Sequence, residues 1–233
     1  MKKYSAGNMV TDHLHALQQR IEQARGLAGR DDQVVLVAVG KTQPVSCLLE
    51  AYRGGVRHFG ENYLQEALRK QCSLGHFDIT WHFIGPIQSN KTRTIASRFH
   101  WVHGVDRIKI ARRLNDQRPD WLPPLNICLQ VNICEEDSKA GVVPSQLEQL
   151  ANEVIHLPRL RLRGLMAIPA PAMDDRTRRQ PFQRLRQLME QLPLPGLDTL
   201  SMGMSCDLEA AVIEGATMVR IGTAIFGPRK AQR

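Results

Sequence analysis

The strongest constraint on the fold is Val34-Val35-Leu36-Val37-Ala38-Val39, an almost unbroken apolar run rich in β-branched residues. A strand with one wet face alternates apolar and polar side chains. A run without alternation suits a strand buried on both faces, which parallel sheets covered by helices provide. Seven further candidate strands follow: Val56 to Phe59, Trp81 to Ile84, Trp101 to Val105, Leu125 to Ile133, Leu160 to Ile168, Leu197 to Met202 and Met218 to Ile221. Helical spacing separates most of them, as in Leu147, Leu150, Ala151, Val154 and Ile155 after Pro144-Ser145, where proline suits a first helical turn. Ahead of the first strand, Leu14, Leu17, Ile21, Ala24 and Leu27 recur at spacings of three and four, so an extra amphipathic helix over about residues 8–28 opens the chain.

Strict β-α alternation implies parallel strands joined by helical crossovers. Eight such units in 233 residues predict an α/β fold, a single-domain (β/α)8 TIM barrel over residues 1–233. An open doubly wound sheet is the alternative. No G-x-G-x-x-G follows the first strand and no second domain remains to accompany a nucleotide-binding one, which favours the barrel.

Composition narrows the class. At 42% hydrophobic and 23% charged the chain is globular, not low-complexity. Lys and Arg outnumber Asp and Glu by 31 to 23, a net charge of +8, but the positive residues are scattered. The densest group, Arg176, Arg178, Arg179, Arg184 and Arg186, lies in a polar helical segment with one aromatic, Phe182. It reads as a solvated helix face, so no nucleic-acid partner is expected. The five cysteines are odd in number, dispersed and without a C-x-x-C pair, which points to reduced thiols and away from a zinc site. Met1-Lys2-Lys3 leads into polar residues with no apolar core of an export signal, and no apolar run nears the roughly 18 residues of a membrane span. A cytosolic protein with no membrane partner is expected.

In a barrel, chemistry belongs at the C-terminal mouths of the strands. Several candidates end there in unusual polar residues: Gly40-Lys41-Thr42, Gly60-Glu61-Asn62-Tyr63, Ser201-Met202-Gly203-Met204-Ser205 and Arg220-Ile221-Gly222-Thr223. Lys41 follows directly on the apolar strand, where its stem would be embedded and its amine aimed at the mouth. A neutral amine there could condense with an aldehyde; the plain alternative is a surface lysine at a strand terminus. Ser205 precedes the helical pattern Asp207 to Glu214, and Gly222-Thr223 opens a second tight turn. Loops after strands seven and eight of such barrels commonly bind phosphate, although an N-cap serine and a turn glycine would look the same. Asp207 and Glu209 oppose an anion unless they point away.

Six stretches, Val37 to Thr42, His58 to Tyr63, Trp81 to Gly85, Gly164 to Ile168, Ser201 to Ser205 and Met218 to Thr223, together resemble the pyridoxal phosphate homeostasis protein family. The resemblance implies the alanine-racemase-type barrel, binding of pyridoxal 5′-phosphate (PLP), and a role in vitamin B6 balance without established turnover. It implies that Lys41 forms the internal aldimine, that Ser205, Gly222 and Thr223 surround the phosphate, that Arg220 faces the pyridine nitrogen, and that Asn62 lies near the ring. Two positions depart from the family pattern: Gly40 stands where serine is common and Cys206 where aspartate is common.

An arginine donates but cannot accept, so beside the pyridine nitrogen it would hold that nitrogen unprotonated and leave the ring a poor electron sink. Racemases on this barrel take a second acid-base tyrosine from a separate domain; no such domain is expected here, and Tyr4, Tyr52 and Tyr63 offer no clear substitute. The expectation is a monomeric, non-enzymatic PLP binder, with apo-PLP enzymes as recipients and no catalytic or metal-ligating residues. The alternatives are a Schiff-base enzyme, either PLP-dependent or a lysine aldolase, and a basic nucleic-acid or partner-binding module. His82 reads as a core or ring-contact residue, and His100 and His103 as a strand edge in preference to a metal pair; Lys139 matches a loop lysine of the family, which implies either a transient cofactor holder or a solvated lysine, and Ser89 or Asn90 reads as a helix cap.

Overall fold

The structure is a computed structural model and describes residues 6–136, 139–170 and 174–228. After α1 (Ala6–Leu27) the chain alternates β1 (Val35–Val39), α2 (Val45–Arg53), β2 (His58–Glu61), α3 (Leu64–Ser73), β3 (Thr80–Phe83), α4 (Thr92–Arg98), β4 (Trp101–Val105) and α5 (Ile108–Gln117). It continues with β5 (Leu125–Gln130), α6 (Pro144–Val154), β6 (Leu160–Met166), α7 (Asp175–Gln191), β7 (Thr199–Ser201), α8 (Leu208–Ile213), β8 (Met218–Ile221) and the short α9 (Thr223–Phe226). The eight strands close a barrel in sequence order. Closure is parallel, with Val35 opposite Met218 and Ala38 opposite Ile221.

Strand residues point alternately in and out. Outward residues such as Ala38, Phe59, Trp81, Val102 and Ile127 join the apolar layer beneath the helices, while Val37, Trp101, Cys128, Met166 and Met218 form a separate, smaller cluster. Gly164 has φ +154°, and a Cβ there would sit 1.9 Å from the Thr199 carbonyl oxygen, so only glycine lets β6 and β7 meet.

Several strands are shorter than their apolar runs. β5 stops at Gln130, not Ile133, and β6 at Met166, not Ile168, because the chain leaves the ladder to build the mouth. There the Asn132 side chain binds the Glu136 carbonyl (2.8 Å), and the Ala167 carbonyl accepts from Arg220 (3.0 Å). Leu14, Leu17, Ile21 and Ala24 of α1 are buried as their spacing predicts, whereas Leu27 is 81% exposed at the helix end. The expected cap at Ser89 or Asn90 is not made by either side chain. Residues Ser89–Lys91 form a 3-10 turn, and the Ser89 carbonyl accepts from the Thr92 hydroxyl (2.8 Å). The arginine-rich α7 is partly an ion-paired face: Arg179 binds Glu214 (2.7 Å) and Arg184 binds Glu135 (2.6 Å). The Arg176 side chain lies outside the described residues. No described helix is long and apolar enough to cross a membrane.

Candidate functional site

A cavity of about 540 Å³ opens at the C-terminal mouth. Lys41, Asn62, Ser205, Arg220, Gly222 and Thr223 all line it, brought from the ends of β1, β2, β7 and β8. Apolar walls come from Val39, Ile84, Ile168 and Met204, none of which the sequence singled out as a site residue.

Lys41 lies two residues past β1 in a turn whose next residue, Thr42, has φ 63°. That left-handed conformation is uncommon for a β-branched residue, and neighbouring groups hold it. The Thr42 amide donates to Glu66 Oε1 (2.7 Å), and buried Lys70 donates to the Gly40 carbonyl (2.6 Å), Glu61 Oε1 (2.7 Å) and Glu66 Oε1 (2.5 Å). Lys70 and Glu66 of α3 therefore grip the two sides of the Lys41 turn. Glu61 is fully buried, and burial pushes its carboxyl up to about 7 despite the attraction of Lys70. Its second oxygen has no hydrogen-bond partner. A Cβ at residue 40 would meet Glu61 Oε1 at 2.5 Å, so Gly40 makes room for this carboxylate. The Lys41 ammonium stands 4.9 Å from the centre of the Tyr63 ring, a cation–π contact. Asn62 is seated by Gly85, where a Cβ would lie 2.1 Å from the Asn62 carbonyl oxygen.

Arg220 is 4% exposed on β8. Nη1 donates to Ser201 Oγ (2.7 Å) and Nη2 to the Ala167 carbonyl (3.0 Å), both neutral acceptors. No carboxylate among the described residues lies within ion-pairing distance, and burial pulls the guanidinium down to about 10. On the opposite wall Ser205 Oγ accepts from the Ala224 amide (3.3 Å), tying the turn after β7 to the turn after β8. The backbone amides of Ser205, Cys206 and Thr223 have no protein partner among the described residues. The two acidic residues beside this wall are both engaged by protein donors. Glu209 is paired with Arg20 of α1 (2.6 Å), and Asp207 accepts from the Met204 amide (2.5 Å) with its carboxyl raised by burial.

Other sequence candidates fall elsewhere. Lys139 is not among the residues lining the cavity and pairs with Glu136 (2.7 Å); Asp137 and Ser138 of that loop lie outside the described residues. His103 is not at a strand edge, because a closed barrel has none; it is fully buried, as is His82. His100 Nδ1 accepts from the Trp81 amide (2.9 Å). No metal-binding group of histidine, cysteine and carboxylate side chains occurs among the described residues.

The alanine racemase N-terminal domain family matches residues 13–230. The pyridoxal phosphate homeostasis protein of Pseudomonas aeruginosa is 58% identical over 221 residues, covering 94% of this chain and 96% of that protein. Its Escherichia coli K12 counterpart is 49% identical over 231 residues, covering 95% and 97%. The solved structure of PipY from Synechococcus elongatus with PLP bound superposes with a TM-score of 0.82 at 35% identity, covering 94% of this chain and all of that one. Alanine racemase from Corynebacterium glutamicum, 17% identical with a TM-score of 0.67 over 94% of this chain and 63% of its own, shares the fold. With near full-length identity to these relatives and the barrel of the racemase domain, this chain belongs to the pyridoxal phosphate homeostasis protein family.

Proposed function

We propose that this protein binds PLP in the mouth cavity and serves intracellular PLP homeostasis, holding the cofactor through Lys41 without catalytic turnover. One observation carries the reading: a half-buried amine, a buried guanidinium and a wall of unpartnered amides converge on a single cavity. The donor set fits the ligand. The cavity volume suits a small molecule. Ser205, Thr223 and the free amides around Gly222 supply neutral donors for a phosphate, and Arg220 supplies a donor that cannot accept, suited to an unprotonated ring nitrogen. Lys41 supplies the amine that attaches the aldehyde carbon, and Asn62 borders the ring.

When bound, PLP supplies an aldehyde and a conjugated ring that withdraws electrons best when its nitrogen is protonated. Arg220, holding two neutral acceptors and no carboxylate, opposes that protonation. The reading extends to a cytosolic monomer that passes PLP to apo-enzymes.

The test is spectroscopic. Wild-type protein mixed with PLP is expected to show a visible band, and borohydride followed by peptide mapping is expected to mark Lys41. In Lys41→Ala the band and the trapped adduct should vanish while the far-ultraviolet dichroism persists. A folded Lys41→Ala protein with an unchanged band would overturn the assignment. Steady turnover of an amino acid by the wild type would replace the homeostasis reading with that of a Schiff-base enzyme.

A further inference from the structure

Three imidazoles climb the barrel interior on consecutive strands. The register sets Gly60 opposite His82 and His82 opposite Trp101, so His58 lies two residues below the level of His82 and His103 two above it. This diagonal brings the rings into hydrogen-bond contact: His58 Nδ1 to His82 Nε2 at 2.9 Å, and His82 Nδ1 to His103 Nε2 at 2.9 Å. His103 Nδ1 then meets Ser201 Oγ at 2.6 Å, and Ser201 Oγ accepts from Arg220 Nη1 at 2.7 Å. The line runs from a second cavity of about 420 Å³, which His58 lines together with α1 and the β1 entrance, to the guanidinium of the mouth cavity.

Hydrogen counting gives the line a direction. Arg220 can only donate, so Ser201 Oγ accepts there. The one hydroxyl hydrogen of Ser201 needs an acceptor, and His103 Nδ1 is its only other partner among the described residues. His103 therefore carries its hydrogen on Nε2 and donates to His82 Nδ1. His82 likewise donates from Nε2 to His58 Nδ1. The opposite order would leave a buried hydroxyl hydrogen without an acceptor, which folded proteins avoid. Burial keeps both inner rings neutral, with His103 drawn down to about 3 and His82 well below its ordinary value.

We infer that Ser201, His103, His82 and His58 are positioning residues for Arg220: a hydrogen-bond chain of single direction that fixes an acceptor on the guanidinium and thereby aims its remaining donors at the ligand. The chain stands on the protein alone. Its effect on the bound ring rests on the PLP reading above.

The first measurement needs no ligand and no variant. In 15N-histidine-labelled protein at neutral pH, two buried imidazoles are expected as neutral rings bearing hydrogen on Nε2, protected from exchange. Hydrogen on Nδ1 of either ring, or a doubly protonated ring, overturns the inference. The second uses Ser201→Ala and Ser201→Thr. Removing the hydroxyl should change the His103 tautomer balance, shift the visible band of the PLP-loaded protein, and weaken PLP binding about tenfold, near the worth of one strong hydrogen bond. Threonine, which keeps the hydroxyl, should restore the tautomers. Unchanged tautomers and an unchanged band in folded Ser201→Ala would overturn the positioning role. Should the wild type show no visible band with PLP, the PLP reading fails while the tautomer result still decides the chain.

Discussion

At the scale of single residues, the site depends on positions where a side chain is missing. Gly85 allows the backbone after β3 to rest on Asn62; an added methyl would sit 2.1 Å from the Asn62 carbonyl oxygen and 2.8 Å from its Cα. Neither atom belongs to a flexible side chain, so the backbone itself must move. Gly85→Ala is expected to cost about 1–3 kcal/mol, the usual range for overpacking, and to weaken PLP binding by displacing Asn62. Urea melts and absorbance titration check both; native stability in this variant would show that the contact relaxes freely. Lys41, Ser205, Gly222 and Thr223 were legible because polar residues closing apolar strands stand out in sequence. Gly85 carried no such mark, and nothing in the sequence set the Tyr63 ring against Lys41. Their roles depend on which strand end lies alongside, and only the closed barrel settles that.

At the scale of elements, α3 acts as the clamp for the β1 turn. Glu66 and Lys70 are one helical turn apart, an ordinary surface pair by spacing, yet Lys70 is 3% exposed and bonded to the Gly40 carbonyl and Glu61 as well. The sequence could not distinguish these cases, because the third partner sits on another element. Removing one member of a buried ion cluster strands the other. Lys70→Met is therefore expected to destabilise by about 3 kcal/mol at pH 8 and to loosen Lys41, lowering PLP affinity about tenfold as the Gly40 and Thr42 anchors relax. The stability loss should shrink toward pH 5, where Glu61, already raised to about 7, carries a proton and needs no cation. Denaturant melts at the two pH values read this difference, and an equal loss at both would contradict the clamp. The alternation of β and α elements was readable because period-two and period-3.6 patterns are local. The ends of β5 and β6 were not, since apolar residues such as Ile133 and Ile168 continue past the last ladder bond.

For the whole molecule, the polar interior of the barrel sets the response to acid. His58, His82 and His103 all lie below the ordinary histidine value of 6.5, chiefly through burial. Depressed bases favour the folded state above pH 6.5, and that contribution is lost as pH falls, because only the unfolded chain takes up protons readily. Glu61 works in the opposite direction: its carboxyl rises from 4.5 to about 7 on folding, so it favours the folded state at low pH and loses that contribution as pH rises through 7. Between about pH 4.5 and 6.5 the unfolded chain gains two protons at His82 and His103 against one held by the folded chain at Glu61. The net difference of one proton makes stability fall by about 1.4 kcal/mol for each unit of acidification, and His58 steepens it. Urea unfolding at pH 7, 6 and 5 should follow that slope. Glu61→Gln removes the opposing group, so its loss between pH 6.5 and 5 should be steeper than the wild type's by about one proton. A Glu61→Gln profile parallel to the wild type would mean that the carboxyl is ionised throughout and that Lys70, not burial, governs it.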